Sequence, residues 1–225
     1  MGDLCAPYPI PALGRAHLAR VTSVEDPDSL ARVQVKLLSC DGVAGQDAPV
    51  WARVAVAFAG HDHGAFFIPD VGNEVLVVFV DGDRRFPIVV GSLWNGRNKP
   101  SETLGGDKTK IDRWTITGRG GTRIAVFEDT VLIETPGGVT MTITDESGGK
   151  VEIECASNTV TIDSNGVSVQ SSASVEVNAS DVTVTAGSVT VNTGMATFSG
   201  TIQCTTLIAT SVIGSSYTPG AGNVW

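Results

Sequence analysis

Val160-Thr161-Ile162, Val167-Ser168-Val169, Val175-Glu176-Val177, Val182-Thr183-Val184 and Val189-Thr190-Val191 return every seven or eight residues within the stretch from Val151 to Val212. Each phrase sets two β-branched apolar residues around one polar residue and is followed by a short polar turn. Residues i and i+2 of a strand share a face. Each phrase therefore reads as a short strand, apolar on one side and polar on the other. A unit this small encloses no core alone. Stacked rung on rung, such units form a β-solenoid in which each rung buries its neighbour. Of the 60 residues from Ser157 to Ser216, 23 are Ser or Thr, a bias that by itself fits disorder. The regular Val/Ile faces decide for a folded rod, because disordered segments lack them.

The same phrase starts upstream, at Trp114-Thr115-Ile116, and passes through Ile124/Val126, Val131/Ile133, Val139/Met141/Ile143 and Val151/Ile153. The early spacing is less even, with Pro136-Gly137-Gly138 and Ser147-Gly148-Gly149 as longer turns. A repeat of seven or eight residues supplies one face of a three-sided prism. One chain winding all three faces and three chains each supplying one face per layer both fit the spacing. A single chain closes only a few turns and leaves open edges at its ends. Three chains give about 13 layers and a rod of about 60 Å at the usual inter-strand spacing, with cyclic symmetry closing every lateral edge. The interwound homotrimer is thus the expectation for residues 114–216. Val160, Ile162, Val167, Val169, Val175, Val177, Val182, Val184, Val189 and Val191 are its expected trimer core, and Cys155 and Cys204 fall in its apolar slots as free thiols.

Residues 17–95 have a different rhythm. Five strand-like runs, His17–Val24, Leu30–Leu38, Trp51–Phe58, Glu74–Val80 and Pro87–Leu93, are separated by turn-rich Asp26-Pro27-Asp28, Asp41-Gly42 and Asp81-Gly82-Asp83. Five strands with no helical period predict a small closed barrel, SH3-like or OB-like. Phe66, Phe67 and Trp51 are expected in its core. Residues 1–16 read as an extended Pro-rich arm, 96–113 as a linker and 217–225 as an irregular tail at the tip.

The chain of 225 residues carries a net charge of −9. Residues 114–225 hold three Lys and Arg against ten Asp and Glu, and none of Lys, Arg or His follows Lys150. An acidic rod repels nucleic-acid phosphates and anionic membranes. No run approaches the roughly 18 apolar residues of a membrane helix. Met1-Gly2-Asp3-Leu4-Cys5 opens no secretory signal peptide, so assembly in the cytoplasm is expected.

Asp26-Pro27-Asp28-Ser29-Leu30-Ala31-Arg32-Val33-Gln34-Val35 resembles the opening strand pair of the OB-fold in phage baseplate spikes and in the VgrG proteins of type VI secretion. Trp51-Ala52-Arg53-Val54-Ala55, the stretch from Gly64 to Val77, and Arg85-Phe86-Pro87 through Trp94-Asn95-Gly96 continue the likeness over roughly residues 17–100, in order. The repeats downstream are similar to the trimeric β-helix of the same family, with valine pairs in place of a strict glycine-containing octad. The resemblance implies an all-β chain, an N-terminal OB-fold barrel followed by a C-terminal triple-stranded β-helix. It implies a structural central spike of a contractile injection machine, phage or tail-like particle, that punctures the target envelope in transient contact with its membrane. Three departures matter. No lysozyme-like domain fits into 96–113. Only about 16 residues precede the barrel, which implies a separate trimeric hub protein at the OB end. The C-terminus lacks a His-x-His metal tip, which implies a PAAR-type tip protein seated on Ile208, Val212, Ile213, Tyr217 and Trp225. The competing reading is a trimeric receptor-binding or adhesin fibre with an OB-like head.

Little in the sequence carries chemistry. His61-Asp62-His63 is a ligand-like cluster that needs a third ligand to hold a metal. No nucleophile elbow, phosphate loop or dinucleotide motif occurs. Glu152/Glu154 and Glu176/Asp181 are acidic pairs without a cleft. Neither an enzyme nor a cofactor is expected.

Overall fold

The computed structural model describes residues 16–42, 48–107 and 109–216. The expected tail, residues 217–225, and all but Ala16 of the expected arm, residues 1–16, lie outside the described residues. Seven strands make up the first part: β1 (His17–Ser23), β2 (Val33–Leu37), β3 (Val50–Val54), the two-residue hairpin arms β4 (Ala59–Gly60) and β5 (His63–Gly64), β6 (Glu74–Phe79) and β7 (Pro87–Leu93). Five of them close a barrel in the order β1-β2-β3-β7-β6. Only β3 and β7 pair in parallel; the other contacts are antiparallel.

The alternation read from the sequence is what fills the barrel. Ala19, Val21, Val33, Val35, Ala52, Val75, Val77, Phe79 and Val89 are its buried core. Val33/Val35, Val75/Val77/Phe79 and Ala19/Val21 are i, i+2 sets, as one-sided strands require. The interior is built mainly of small side chains, six valines and two alanines with Phe79. Leu37, Val50, Val54 and Ile68 pack against the core from the ends.

The barrel has two distinct ends. β3 runs parallel to β7, with Val54 opposite Val89, and β7 continues to Leu93, opposite Glu74 at the start of β6. The chain leaves the barrel after Leu93, so this is the exit end. The β1–β2 loop and the β3–β6 loop lie at this same end. The opposite end holds the start of β1, the 3-10 turn Leu38–Cys40 and the β6–β7 turn through Val80–Gly82.

Beyond the exit end, β8 (Trp114–Thr117), β9 (Arg123–Val126), β10 (Thr130–Glu134), β11 (Val139–Thr144), β12 (Lys150–Cys155), β13 (Asn158–Asp163) and β14 (Gly166–Gln170) form one seven-stranded sheet in strict chain order. Every neighbour is antiparallel. The uneven early repeats thus pair within the chain. Their turns explain it. A hairpin reverses the chain by about 180°, and such tight reversals favour positive φ. Five of the six connections supply it: Gly121, Gly138, the Ser147-Gly148-Gly149 run, Ala156 and Gly166. Non-glycine Ser147 and Ala156 adopt φ of 56° and 53°, an unfavourable choice for a side chain with Cβ.

The chain divides into two units, Met1–Ala173 and Ser174–Trp225. In the second, residues 174–216 carry no strand or helix, and all of them are exposed. No residue described after Gly166 has positive φ. The even seven-to-eight-residue phrases therefore lack the reversals that let the earlier ones pair with themselves. The sequence expectation of a single kind of repeat from 114 to 216 divides here into a self-paired sheet and a zone without pairing inside the chain.

Candidate assembly site

The register of the sheet places its apolar residues in two unbroken columns. One runs Trp114, Val126, Val131, Ile143, Val151, Ile162, Val167; the other runs Ile116, Ile124, Ile133, Met141, Ile153, Val160, Val169. Residues directly opposite across a ladder share a face, so all 14 lie on one side of the sheet. The other side carries Thr115, Thr142, Glu152, Thr161 and Ser168 in one line, with Ala125 and Leu132 among them. Among the described residues, nine of these 14 stay exposed on the apolar side. Ile124, Ile143 and Ile153 keep 41% of their surface in solvent, and exposure rises to 66% at Trp114 and 70% at Val167, the two ends of a column.

Four of the predicted core residues, Val160, Ile162, Val167 and Val169, sit on this face as cross-strand pairs Val160/Val169 and Ile162/Val167. The other six lie in the unpaired zone, where Val175, Val177, Val182, Val184, Val189 and Val191 are 61–70% exposed. Ile208 and Ile213 are more than nine-tenths exposed, at 93% and 97%, and Val212 is exposed with them; Tyr217 and Trp225 lie outside the described residues. The expected burial of Cys155 and Cys204 does not occur in the chain: both are exposed and only Cys40 of the described thiols is buried. Cys155 continues the apolar side of the sheet, opposite Val139. Its slot is apolar but open.

Residues 96–113, read as a linker, are tied down. Glu102 Oε2 accepts from Arg113 Nε at 2.7 Å, and Glu102 Oε1 accepts from Arg123 Nε at 2.7 Å. Arg123 reaches on to Glu134, its ladder partner, at 3.1 Å. These Arg side chains and Glu102 are about four-fifths buried. Hydrogen bonds from Arg123, then Arg113, hold the Glu102 carboxyl down to about 2. A second tie is Arg119 of the β8–β9 turn to Asp70 of the β3–β6 loop at 2.5 Å. The Glu102 ties join residues 96–113 to the sheet, and the exposed Arg119–Asp70 pair links the sheet to the exit end of the barrel. The sequence signal was present in the charge pattern: Arg113, Arg119 and Arg123 crowd the start of an otherwise acidic rod.

The β1–β2 loop is built around one carboxylate. Asp26 accepts backbone N–H bonds from Asp28, Leu30 and Arg32, and the Arg32 guanidinium donates to Asp26 and Asp28. The Arg32 side chain above all holds Asp26 well below the usual carboxylate range. Arg32 also lies over Trp51, 5.8 Å from the ring centre. At the far end of the barrel Arg85 pairs with Asp83 at 2.6 Å and lies against Phe86.

Phe66 and Phe67 are not core. They are 79% and 64% exposed. Adjacent residues point to opposite sides of an extended chain, and this segment joins no barrel strand, so nothing turns either ring inward. His61 and His63 occupy the β4–β5 hairpin, where His63 Nδ1 sits 2.9 Å from the His61 carbonyl. Among the described residues no three His, Cys, Asp or Glu side chains gather as a metal site, and no helix is long and apolar enough to cross a membrane.

A closed five-stranded barrel followed by a one-sided sheet and an unpaired run of Val-x-Val phrases defines a chain made for assembly. Residues 17–94 match the family of type VI secretion system and phage-baseplate injector OB domains, and residues 130–197 match the phage baseplate V C-terminal trimerisation domain. Each match takes in about a third of the chain, and together they liken it to the OB domain and the trimerisation domain of baseplate spikes. It is 38% identical over 85 residues to the actin cross-linking toxin VgrG1 of Vibrio cholerae, a match covering 37% of this chain and 8% of that one. It is 29% identical over 111 residues to the type VI secretion system spike protein VgrG1b of Pseudomonas aeruginosa, covering 49% of this chain and 15% of the relative. The spike protein VgrG3 of Vibrio cholerae is 37% identical over 87 residues, 38% of this chain and 9% of its own. The chain thus corresponds to a small part of each relative's length.

Proposed function

We propose that this protein is the structural central spike of a contractile, phage tail-like injection machine and acts as a homotrimer that punctures the target envelope. The observation that carries the reading is the 14-residue apolar face, complete in register and left largely open among the described residues. Three copies turned about a common axis cover each other's faces. Burying a Val or Ile fully is worth about 1.5–3 kcal/mol; nine of the 14 keep 39–70% of their surface exposed, so about 1 kcal/mol remains to be gained at each of these nine, which summed over one face is on the order of the whole stability of a small domain.

In this assembly residues 114–170 form one wall per chain, and residues 171–216 find strand partners in the other two chains. The exit end of the barrel faces the rod. The far end, with the Val80–Gly82 turn and the residues before β1, faces a separate trimeric hub protein. The last apolar residues, Ile208, Val212 and Ile213, with the tail that follows, seat a PAAR-type tip protein. No catalytic group takes part, and the particle is assembled in the cytoplasm as part of a phage or tail-like baseplate. The test is the native mass of the purified full-length chain at micromolar concentration. A trimer that stays together on dilution is the expected result; a folded monomer overturns the reading.

A further inference from the structure

We propose that Asn165 in the β13–β14 hairpin is a spontaneous modification site, where the side-chain amide is lost and the turn is rewritten as aspartate or isoaspartate. The chain holds two Asn-Gly pairs, Asn95-Gly96 and Asn165-Gly166. A glycine after asparagine lacks the Cβ that would hinder the main chain from folding back on the side chain. In the reaction the Gly166 backbone nitrogen gives its proton to solvent hydroxide and attacks Asn165 Cγ. The N–Cγ bond forms and the Cγ–Nδ2 bond breaks. Nδ2 takes a proton from water and leaves as ammonia. Water then opens the succinimide ring at either carbonyl. One opening gives aspartate; the other gives isoaspartate, with the chain routed through the former side chain.

The fold treats the two pairs differently. Asn95 is locked: its Nδ2 donates to Glu74 Oε2 at 2.9 Å, and its Oδ1 accepts from the Arg97 and Asn98 amides at 3.0 and 2.8 Å. Attack on its Cγ requires that these bonds be given up. The Asn165 side chain has no hydrogen-bond partner among the described residues; its backbone N–H donates to Asp163 Oδ1 at 2.7 Å. Asn165 and Gly166 are exposed. Gly166 has a φ of +133°, and nothing lies within 4 Å of where its Cβ would stand. The hairpin also opens easily, because β14 is the outermost strand and all five of its residues are exposed, the setting in which local unfolding costs least. Three hydrogen bonds at a factor of about five each set Asn95 on the order of a hundredfold behind Asn165. The consequence falls on register. Isoaspartate adds an extra backbone carbon to the Ser164–Asn165 turn and puts a second carboxylate beside Asp163. That turn sets the Ile162/Val167 and Val160/Val169 pairs at the end of the apolar face. Modification therefore releases β14 from β13.

The test is a timed incubation of the folded full-length chain in mildly alkaline buffer, with peptide mapping by mass spectrometry and the same series run in urea. The expected result is conversion at Asn165 on the order of a hundredfold faster than at Asn95 in the folded chain, and comparable rates at the two sites in urea. In the modified fraction the Val167 and Val169 amides should exchange on the order of tenfold faster than in fresh protein, with the barrel strands still protected. Asn165→Gln, whose longer side chain closes the ring slowly, should keep its Val167 and Val169 protection through the same incubation. Equal rates at Asn95 and Asn165 in the folded chain, or no reaction at either, overturn the inference. Conversion at Asn165 with unchanged exchange in β14 overturns the release of that strand.

Discussion

Val182→Asp separates folding of the chain from its assembly. In the lone chain Val182 is 61% exposed, so a carboxylate there meets water and the barrel and sheet are untouched. In the proposed trimer the same position enters a dry layer with two symmetry copies of itself. A carboxyl so placed is expected to take up a proton rather than remain charged. Holding a carboxyl of ordinary pKa near 4 neutral at pH 7 costs about 4 kcal/mol, three units at 1.36 kcal/mol each. Losing the valine's own remaining burial adds about 1 kcal/mol. Three chains bring the total to about 15 kcal/mol per trimer, enough to move a nanomolar association far beyond any practical concentration. The sign with pH follows. The carboxyl pKa is raised on assembly, so the penalty is full above the raised value and disappears as pH falls below about 4. Sedimentation of the variant should give monomer at pH 7 and recovered trimer at pH 4, while Thr183→Asp, its charge on the other side of the phrase, stays trimeric at both. Equal behaviour of the two variants at pH 7, or a Val182→Asp trimer as heat-stable as the wild type, refutes the face assignment.

Glu102→Gln should lower the melting temperature and flatten its acid dependence: the depressed carboxyl contributes stability above about 4.5 that is lost as pH falls toward about 2, which a series of melts reads directly. Asp26→Asn should speed hydrogen exchange at the Leu30 and Arg32 amides while leaving the barrel strands protected, because the charge that gathers those donors is gone. Gly106→Ala should disrupt the turn that anchors residues 96–113, since its φ is +81° and a Cβ would stand 2.3 Å from the Lys110 carbonyl oxygen; the cost of forcing a left-handed residue is about 1–2 kcal/mol before the clash, seen as a drop in thermal stability. Deleting residues 217–225 should leave native mass trimeric and weaken capture of a PAAR-type protein; unchanged capture removes the tail from docking.

The barrel was legible because each of its strands alternates. Val33/Val35 and Val75/Val77 have one side to bury, and that pattern needs no knowledge of the partner strand. The apolar phrases of β8 to β14 were legible for the same reason, and so was their common face. What periodicity did not reveal is which phrases pair with each other. That depends on turns, and Ala156 adopts positive φ without a glycine to announce it. The Glu102 tie was hidden because it joins residues 11 and 21 positions apart across irregular chain. Phe66 and Phe67 were misread because hydrophobicity alone says that a ring wants cover, not whether its own chain provides it.

The end of positive φ at Gly166 has a consequence for how the spike is put together. A run of near-identical Val-x-Val phrases is ambiguous: chains interwinding along it gain almost the same contacts when one slips by a phrase. Strands 114–170 have no such freedom, since every hairpin is local, unequal in length and marked by residues that occur once, such as Trp114 and Met141. Local hairpins also close quickly. In the proposed trimer each chain therefore carries its own zero mark, from which winding of the repeats proceeds in phase.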